Sequence, residues 1–147
     1  MANEMPPSTD YTGLSRKVLR YSEAFNALIG RIREGAATDA DWAPLEALVD
    51  TDAFERHGVF LTAQAERFGW PTYRRYITDF GGHTAWEGTL RRITETPGRV
   101  ILELEERNTT DGVTDRSNTV TIYEFDAAEK LRHLDVYVMP LEKLDAA

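Results

Sequence analysis

The chain has 147 residues, 41% of them hydrophobic and 29% charged, enough for one globular unit that buries about two-thirds of its unfolded surface. The absence of cysteine excludes disulfides, thiolate metal sites and a thiol nucleophile, and fits a reducing, cytoplasmic setting. A net charge of −8 repels nucleic acid and anionic membrane surfaces, and no apolar run approaches the roughly 20 residues that cross a bilayer.

Residues 1–14, with Pro6, Pro7 and Gly13 among short polar side chains and no secretory pattern, read as a flexible N-terminal tail. From Ser15, which can cap a helix, Val18, Leu19, Tyr21, Phe25, Leu28, Ile29 and Ile32 recur at three- and four-residue steps as one apolar stripe, until Gly35 offers a left-handed stop. A second helix is predicted over 41–49: Thr38, Asp39 and Asp41 supply N-terminal oxygens, Pro44 falls in the first turn, and Trp42, Leu45, Leu48 and Val49 form the buried side. Residues 54–60 read as a short extended segment bent at Gly58, and 61–68 fit either helix or loop. Gly69-Trp70-Pro71 starts a third helix, with Tyr73, Tyr76, Ile77 and Phe80 on its apolar face and Gly81-Gly82 at its end.

Beyond His83 the period changes from helical to alternating. Strands are predicted over 84–95, 100–109, 118–126 and 131–139, joined by Thr96-Pro97-Gly98, a loop containing Asp111-Gly112, and Ala127-Ala128-Glu129. Helices first and an antiparallel meander last is an α+β layout: a curved, cone-shaped antiparallel sheet packed on N-terminal helices over residues 15–140, with 141–147 as a C-terminal tail.

Charge suggests a register for the first hairpin. With Glu95 facing Arg99, Arg91 meets Glu103 and Glu87 meets Arg107 on a charged face, while Leu90 meets Leu104 and Trp86 meets Asn108 on the other. A one-residue slip would set Arg92 against Glu103 but leave Leu90 against Glu105. The first register is preferred, and it makes the charged face a solvated or dimer-facing surface.

Three stretches carry a family resemblance: Leu48-Val49-Asp50-Thr51-Asp52-Ala53-Phe54-Glu55-Arg56-His57; the hairpin from Trp86-Glu87-Gly88-Thr89-Leu90 to Leu104-Glu105-Glu106-Arg107-Asn108; and Tyr123-Glu124-Phe125-Asp126 running through a turn into Lys130-Leu131-Arg132-His133. Over about residues 15 to 140 the chain resembles the SnoaL-like proteins of the nuclear transport factor 2-like superfamily. The resemblance implies a conical α+β fold, a pocket between helices and sheet, and a dimer through the sheet's outer face. Relatives include ketosteroid isomerase, limonene epoxide hydrolase and polyketide cyclases, so the fold leaves the chemistry open. Matched to the isomerase, His57 falls at the general-base position, Thr121 at the oxyanion-binding aspartate and Leu28 at the oxyanion tyrosine. Matched to the epoxide hydrolase, Glu106-Arg107 fits a glutamate–arginine pair, whereas Thr109 and Val136 stand where it has aspartates.

These matches and the strand parity select the candidate residues. His57, Glu106 and Thr121 are the candidate catalytic groups. In an apolar cone the imidazole suits acid–base work near neutrality, although a histidine that merely hydrogen-bonds at a strand end fits equally. Glu106 and Asn108 share the parity of Leu102 and Leu104 and so point into the cone, where desolvation would raise a carboxyl pKa, unless both sit wet at its rim. Tyr76, Trp86, Asn108 and Tyr123 are the expected lining. In the last strand, either Leu134, Val136 and Val138 or His133, Asp135 and Tyr137 face inward; the second choice would make His133 and Asp135 a catalytic pair. No metal ligand set, phosphate loop or nucleophile elbow is present, so no cofactor is expected. The reading is a cofactor-independent isomerase, hydratase, dehydratase or cyclase acting on a small apolar or polycyclic molecule, or a non-catalytic ligand-binding or dimerising module of the same fold.

Overall fold

The computed structural model describes residues 4–141, in the order α1 (Gly13–Arg33), α2 (Asp39–Glu46), β1 (Glu55–Gly58), β2 (Glu66–Phe68), α3 (Trp70–His83), β3 (Thr84–Thr96), β4 (Arg99–Thr110), β5 (Val113–Phe125) and β6 (Leu131–Pro140). The expected α+β class holds. The strands form one sheet of order β2-β1-β6-β5-β4-β3. The sheet departs from the expected antiparallel cone in one respect: β1 runs parallel to β6, so the sheet is mixed, and it is not closed. The segment at 61–68 that fitted helix or loop contributes the edge strand β2.

One face of the sheet is covered by the helices. Val18, Leu28 and Ile29 of α1, Trp42 and Leu45 of α2 and Ile77 of α3 meet Val100, Leu102 and Leu104 of β4, Tyr123 of β5 and Leu134 of β6 in a single buried cluster. Each such side chain contributes about 1.5–3 kcal/mol of burial free energy, which is what holds these amphipathic elements together. The α1 stripe predicted from the sequence is the buried one. Its first turn, however, begins at Gly13, so Ser15 lies inside the helix; its amide and hydroxyl both donate to Glu95 Oε1 of β3, at 2.8 and 2.7 Å. Gly35 takes the left-handed conformation, φ 70°, just past the helix end. In α2, Thr38 and Asp41 form a reciprocal capping box, and the helix ends at Glu46, three residues short of expectation. Helix α3 runs through Gly81-Gly82 to His83, because a Cβ on Gly81 would stand 3.2 Å from Ile29 Cβ and the bare glycine lets the two helices close.

The first hairpin uses both weighed registers. Glu87↔Arg107, Trp86↔Asn108 and Leu90↔Leu104 obey the preferred one, but beyond a bulge at Arg91 the pairing slips to Arg92↔Glu103 and Thr96↔Arg99 across a two-residue Pro97-Gly98 turn. The bulge keeps the apolar pairs of one half together with the Arg92–Glu103 ion pair (3.5 Å) of the other. The next connection is also shorter than expected. Asp111 and Gly112 both have positive φ, the conformation of a two-residue hairpin turn, and β5 starts at Val113 rather than 118. Polar Thr114–Ser117 hide this extension from any alternation argument.

The expected N-terminal tail is docked from Glu4 onward. Glu4 N donates to Gly88 O at 3.1 Å, Thr89 Oγ1 donates to Glu4 Oε2 at 2.8 Å, and Ser8 is buried with its amide on Glu23. Of the expected C-terminal tail only Leu141 falls within the described residues. Arg107 is likewise no solvated charge: it is 4% exposed on the outer face, donating to Thr89 Oγ1 and lying 3.5 Å from Glu105.

Candidate functional site

A cavity of about 450 Å³ opens between the helices and the inner face of the sheet. Its position follows from strand parity. On β4, Leu102 and Leu104 point to the core, so Glu106 and Asn108, two and four residues on from Leu104, point the same way beyond the helical cover. On β5, Tyr123, Thr121, Thr119 and Ser117 continue that row, and on β6 Leu134, Val136 and Val138 do so. The last strand therefore presents its aliphatic set inward. The helices contribute Tyr21 and Phe25 from α1 and Tyr73 and Phe80 from α3, and the segment after β1 contributes Val59 and Phe60.

Of the candidate residues, Glu106, Thr121, Trp86, Asn108 and Tyr123 line this cavity. Trp86 Nε1 donates to Glu106 Oε1 at 2.5 Å. The indole reaches the carboxylate because it lies over Gly88, which pairs with Glu106; a Cβ there would come within 2.6 Å of the ring. Glu106 is the one carboxylate on the wall among the described residues. The phenols opposite are not alternatives to it as bases. Burial, with neighbouring Tyr73 adding to it, pushes Tyr21 well above its usual range, and burial does the same to Tyr123, so both stay neutral hydroxyls. Tyr21 and Tyr73 are linked hydroxyl to hydroxyl at 3.2 Å.

Two expectations are corrected. His57 is not beneath the cone. Phe54 and Arg56 are buried on the core side, so His57 projects from the opposite face, 44% exposed, with its Nδ1 3.6 Å from Asp135 Oδ1. It joins an outer-face network in which His133 lies 3.0 Å from Asp135 and 3.4 Å from Glu55, and Glu55 3.0 Å from Arg67. The His133–Asp135 pair exists, but outside. Tyr76 is also off the wall: its hydroxyl donates to Glu66 of β2 at 2.8 Å, and its ring packs on Phe60 and Phe68. Among the described residues no group of three His, Asp or Glu side chains is placed to hold a metal ion.

What the sequence reading passed over is Arg56. It lines the cavity, is 4% exposed, and its guanidinium carbon stands 4.7, 5.5 and 5.6 Å from the ring centres of Phe60, Tyr73 and Phe68. One donor is used, Nη2 to Val59 O at 3.0 Å; Nε and Nη1 are buried without a partner. The signal was available, since Phe54 fixes the parity of the strand and carries Arg56 inward.

Comparison with solved structures places this architecture. The chain is similar to a candidate SnoaL-like polyketide cyclase from Shewanella putrefaciens CN-32 (TM-score 0.68, 8% identity, 94% of this chain and 91% of that one). It is also similar to a nuclear transport factor 2-like protein of unknown function from Exiguobacterium sp. 255-15 (0.62, 14%, 86% and 99%) and to an LEH-like epoxide hydrolase of M. tuberculosis (0.56, 12%, 82% and 83%). No family model and no curated protein sequence matches the chain. The fold is that of the nuclear transport factor 2-like proteins. At such identities the likeness speaks for the fold alone.

Proposed function

We propose that the chain is a small-molecule pocket protein that moves a proton to or from a largely apolar, polycyclic ligand without a cofactor, with Glu106 as acid or base. The observation that carries this is the Trp86–Glu106 bond inside an aromatic-walled cavity. A proton-transfer group must be held at a fixed point within hydrogen-bond reach of the ligand, and the indole donor fixes this carboxylate while leaving its second oxygen for the substrate. Thr121, Asn108 and Tyr123 supply hydroxyl and amide groups to orient the ligand, and Trp86 a flat apolar wall. Isomerisation, dehydration and cyclisation all fit one mobile proton in such a site. With His57 on the outer face, the isomerase-like assignment of base and oxyanion groups gives way to Glu106.

The rival reading is a binding module without turnover, favoured by the presence of a single carboxylate where paired acid and base would be expected of a hydratase. Under either reading we infer a homodimer through the outer sheet face, where Tyr137 is 60% and Met139 56% exposed on the side that also carries Val120 and Ile122. Among the described residues no helix is long and apolar enough to cross a membrane. The lack of cysteine suits a cytoplasmic protein.

The test is a thermal-shift screen of polycyclic ketones, epoxides and lactones, followed by turnover of the hits. Glu106→Gln should still bind them while kcat falls by about 100- to 10,000-fold. Turnover undiminished in that variant refutes the role of Glu106, and tight binding with no turnover in the wild type selects the binding module.

A further inference from the structure

Arg56 is out of keeping with a pocket for neutral apolar molecules. A guanidinium taken out of water must be repaid by a counter-charge or by hydrogen bonds to all its donors, and here neither is present. Among the described residues no carboxylate lies within ion-pair distance of Arg56, and two of its three nitrogens have no partner. The rings of Phe60, Phe68 and Tyr73 do not replace them: a ring attracts the cation but offers no lone pair to an N–H donor. Other unsatisfied polar atoms on the same wall, Thr119 Oγ1 and Asn108 Oδ1, are buried without partners as well. Unsatisfied polar groups gathered beside one cavity call for a common explanation, and a polar ligand that reaches them as the covering side chains shift is one.

We propose that Arg56 is the anchor of an acidic ligand: the cavity takes a flat aromatic or polycyclic carboxylate, its anionic oxygens on the guanidinium and its rings among Phe25, Phe60, Phe80 and Trp86. This rests on the cavity being a small-molecule site, and it replaces the neutral ligand class with an acidic one. Charge–charge hydrogen bonds to arginine are about twice as strong as neutral ones, and burial removes the solvent screening that weakens them at a surface. The chain's net charge of −8 works the other way at long range. Binding of an acid should therefore hold steady or tighten as salt is added, the reverse of recognition by a basic surface patch.

The test uses pairs of probes that differ only in charge: 2-naphthoate, biphenyl-4-carboxylate and fluorene-2-carboxylate, each against its primary amide, by calorimetric titration of the full chain at neutral pH. At least one acid should bind about tenfold or more tighter than its amide. Arg56→Met should reduce that ratio to about one while leaving amide binding in place, and Arg56→Lys should keep part of it. In the absence of ligand, Arg56→Met should melt no lower than the wild type, since it exchanges an uncompensated buried charge for an apolar chain of similar volume. Acids that bind no tighter than their amides overturn the proposal, as does a preference that survives Arg56→Met. Amide binding without a charge preference ends this inference but spares the cavity reading; failure of every probe refutes both. The wild-type comparison and Arg56→Lys stand even if Arg56→Met does not fold.

Discussion

Glu95 shows how one carboxylate can serve both a helix and a sheet. Its Oε1 receives the hydroxyl and the amide of Ser15, which together hold its carboxyl below the ordinary value of 4.5, with the Leu14 amide adding to the effect. It does for the first turn of α1 what an N-cap side chain does elsewhere, from 80 residues away. Because the folded pKa is depressed, this contribution is fully present above the unfolded value and is lost as pH falls through the folded one. Glu95→Gln should cost about 0.5 kcal/mol at neutral pH, at the low end of capping effects because the site is solvent-screened. The gap from wild type should close in thermal melts below the ordinary carboxylate range. A gap that persists unchanged in acid would show that the charge is not what matters.

Among the elements, β3 does the most to shape the site. Trp86, Gly88 and Leu90 lie on one face of the strand, and the missing side chain of Gly88 is the room in which the indole lies flat enough to reach Glu106. Gly88→Ala should expel the indole, because a methyl 2.6 Å from the ring cannot be absorbed by backbone in a paired strand. The expected loss is about 1–3 kcal/mol of stability, the usual range for overpacking. Tryptophan emission should shift and ligand binding should weaken together. An unchanged spectrum with full binding would separate Trp86 from the site. The bulge at Arg91 belongs to the same strand and explains why neither uniform register describes the hairpin.

At the scale of the molecule, the sheet has one face for the helices and cavity and another that is partly charged and partly apolar. Arg92–Glu103, Arg116–Glu105 and Arg99–Glu124 pairs border Ile101, Val120, Ile122, Tyr137 and Met139 on that outer face. Exposed apolar side chains rimmed by charge are the composition of an association surface. If the proposed dimer forms through this face, Tyr137→Glu should lower the mass measured by light scattering to that of a monomer without altering the fold seen by circular dichroism. A wild-type chain that is monomeric at all accessible concentrations would dispose of the dimer. The His57, His133, Asp135 and Glu55 network lies on this face as well and belongs to the surface, not to the cavity.

Period and punctuation in the sequence determine the α+β class, the buried stripe of α1, the inward row that carries Glu106 and Asn108, and the chain reversals at Asp111-Gly112 and Ala127-Ala128-Glu129. Each of these depends on residues within a few positions of one another. Parity also held the answer for β1, where Phe54 sets Arg56 inward and His57 outward; alignment to a relative's base position pointed the other way. Only the tertiary structure decides the parallel pairing of β1 with β6, the slip at Arg91, the reach of Glu95 to Ser15 and the aromatic enclosure of Arg56. These join segments far apart in the chain, and their energies come from partners that no local pattern specifies. A two-residue alternation says which side chains share a face, but only the packed fold says what that face meets.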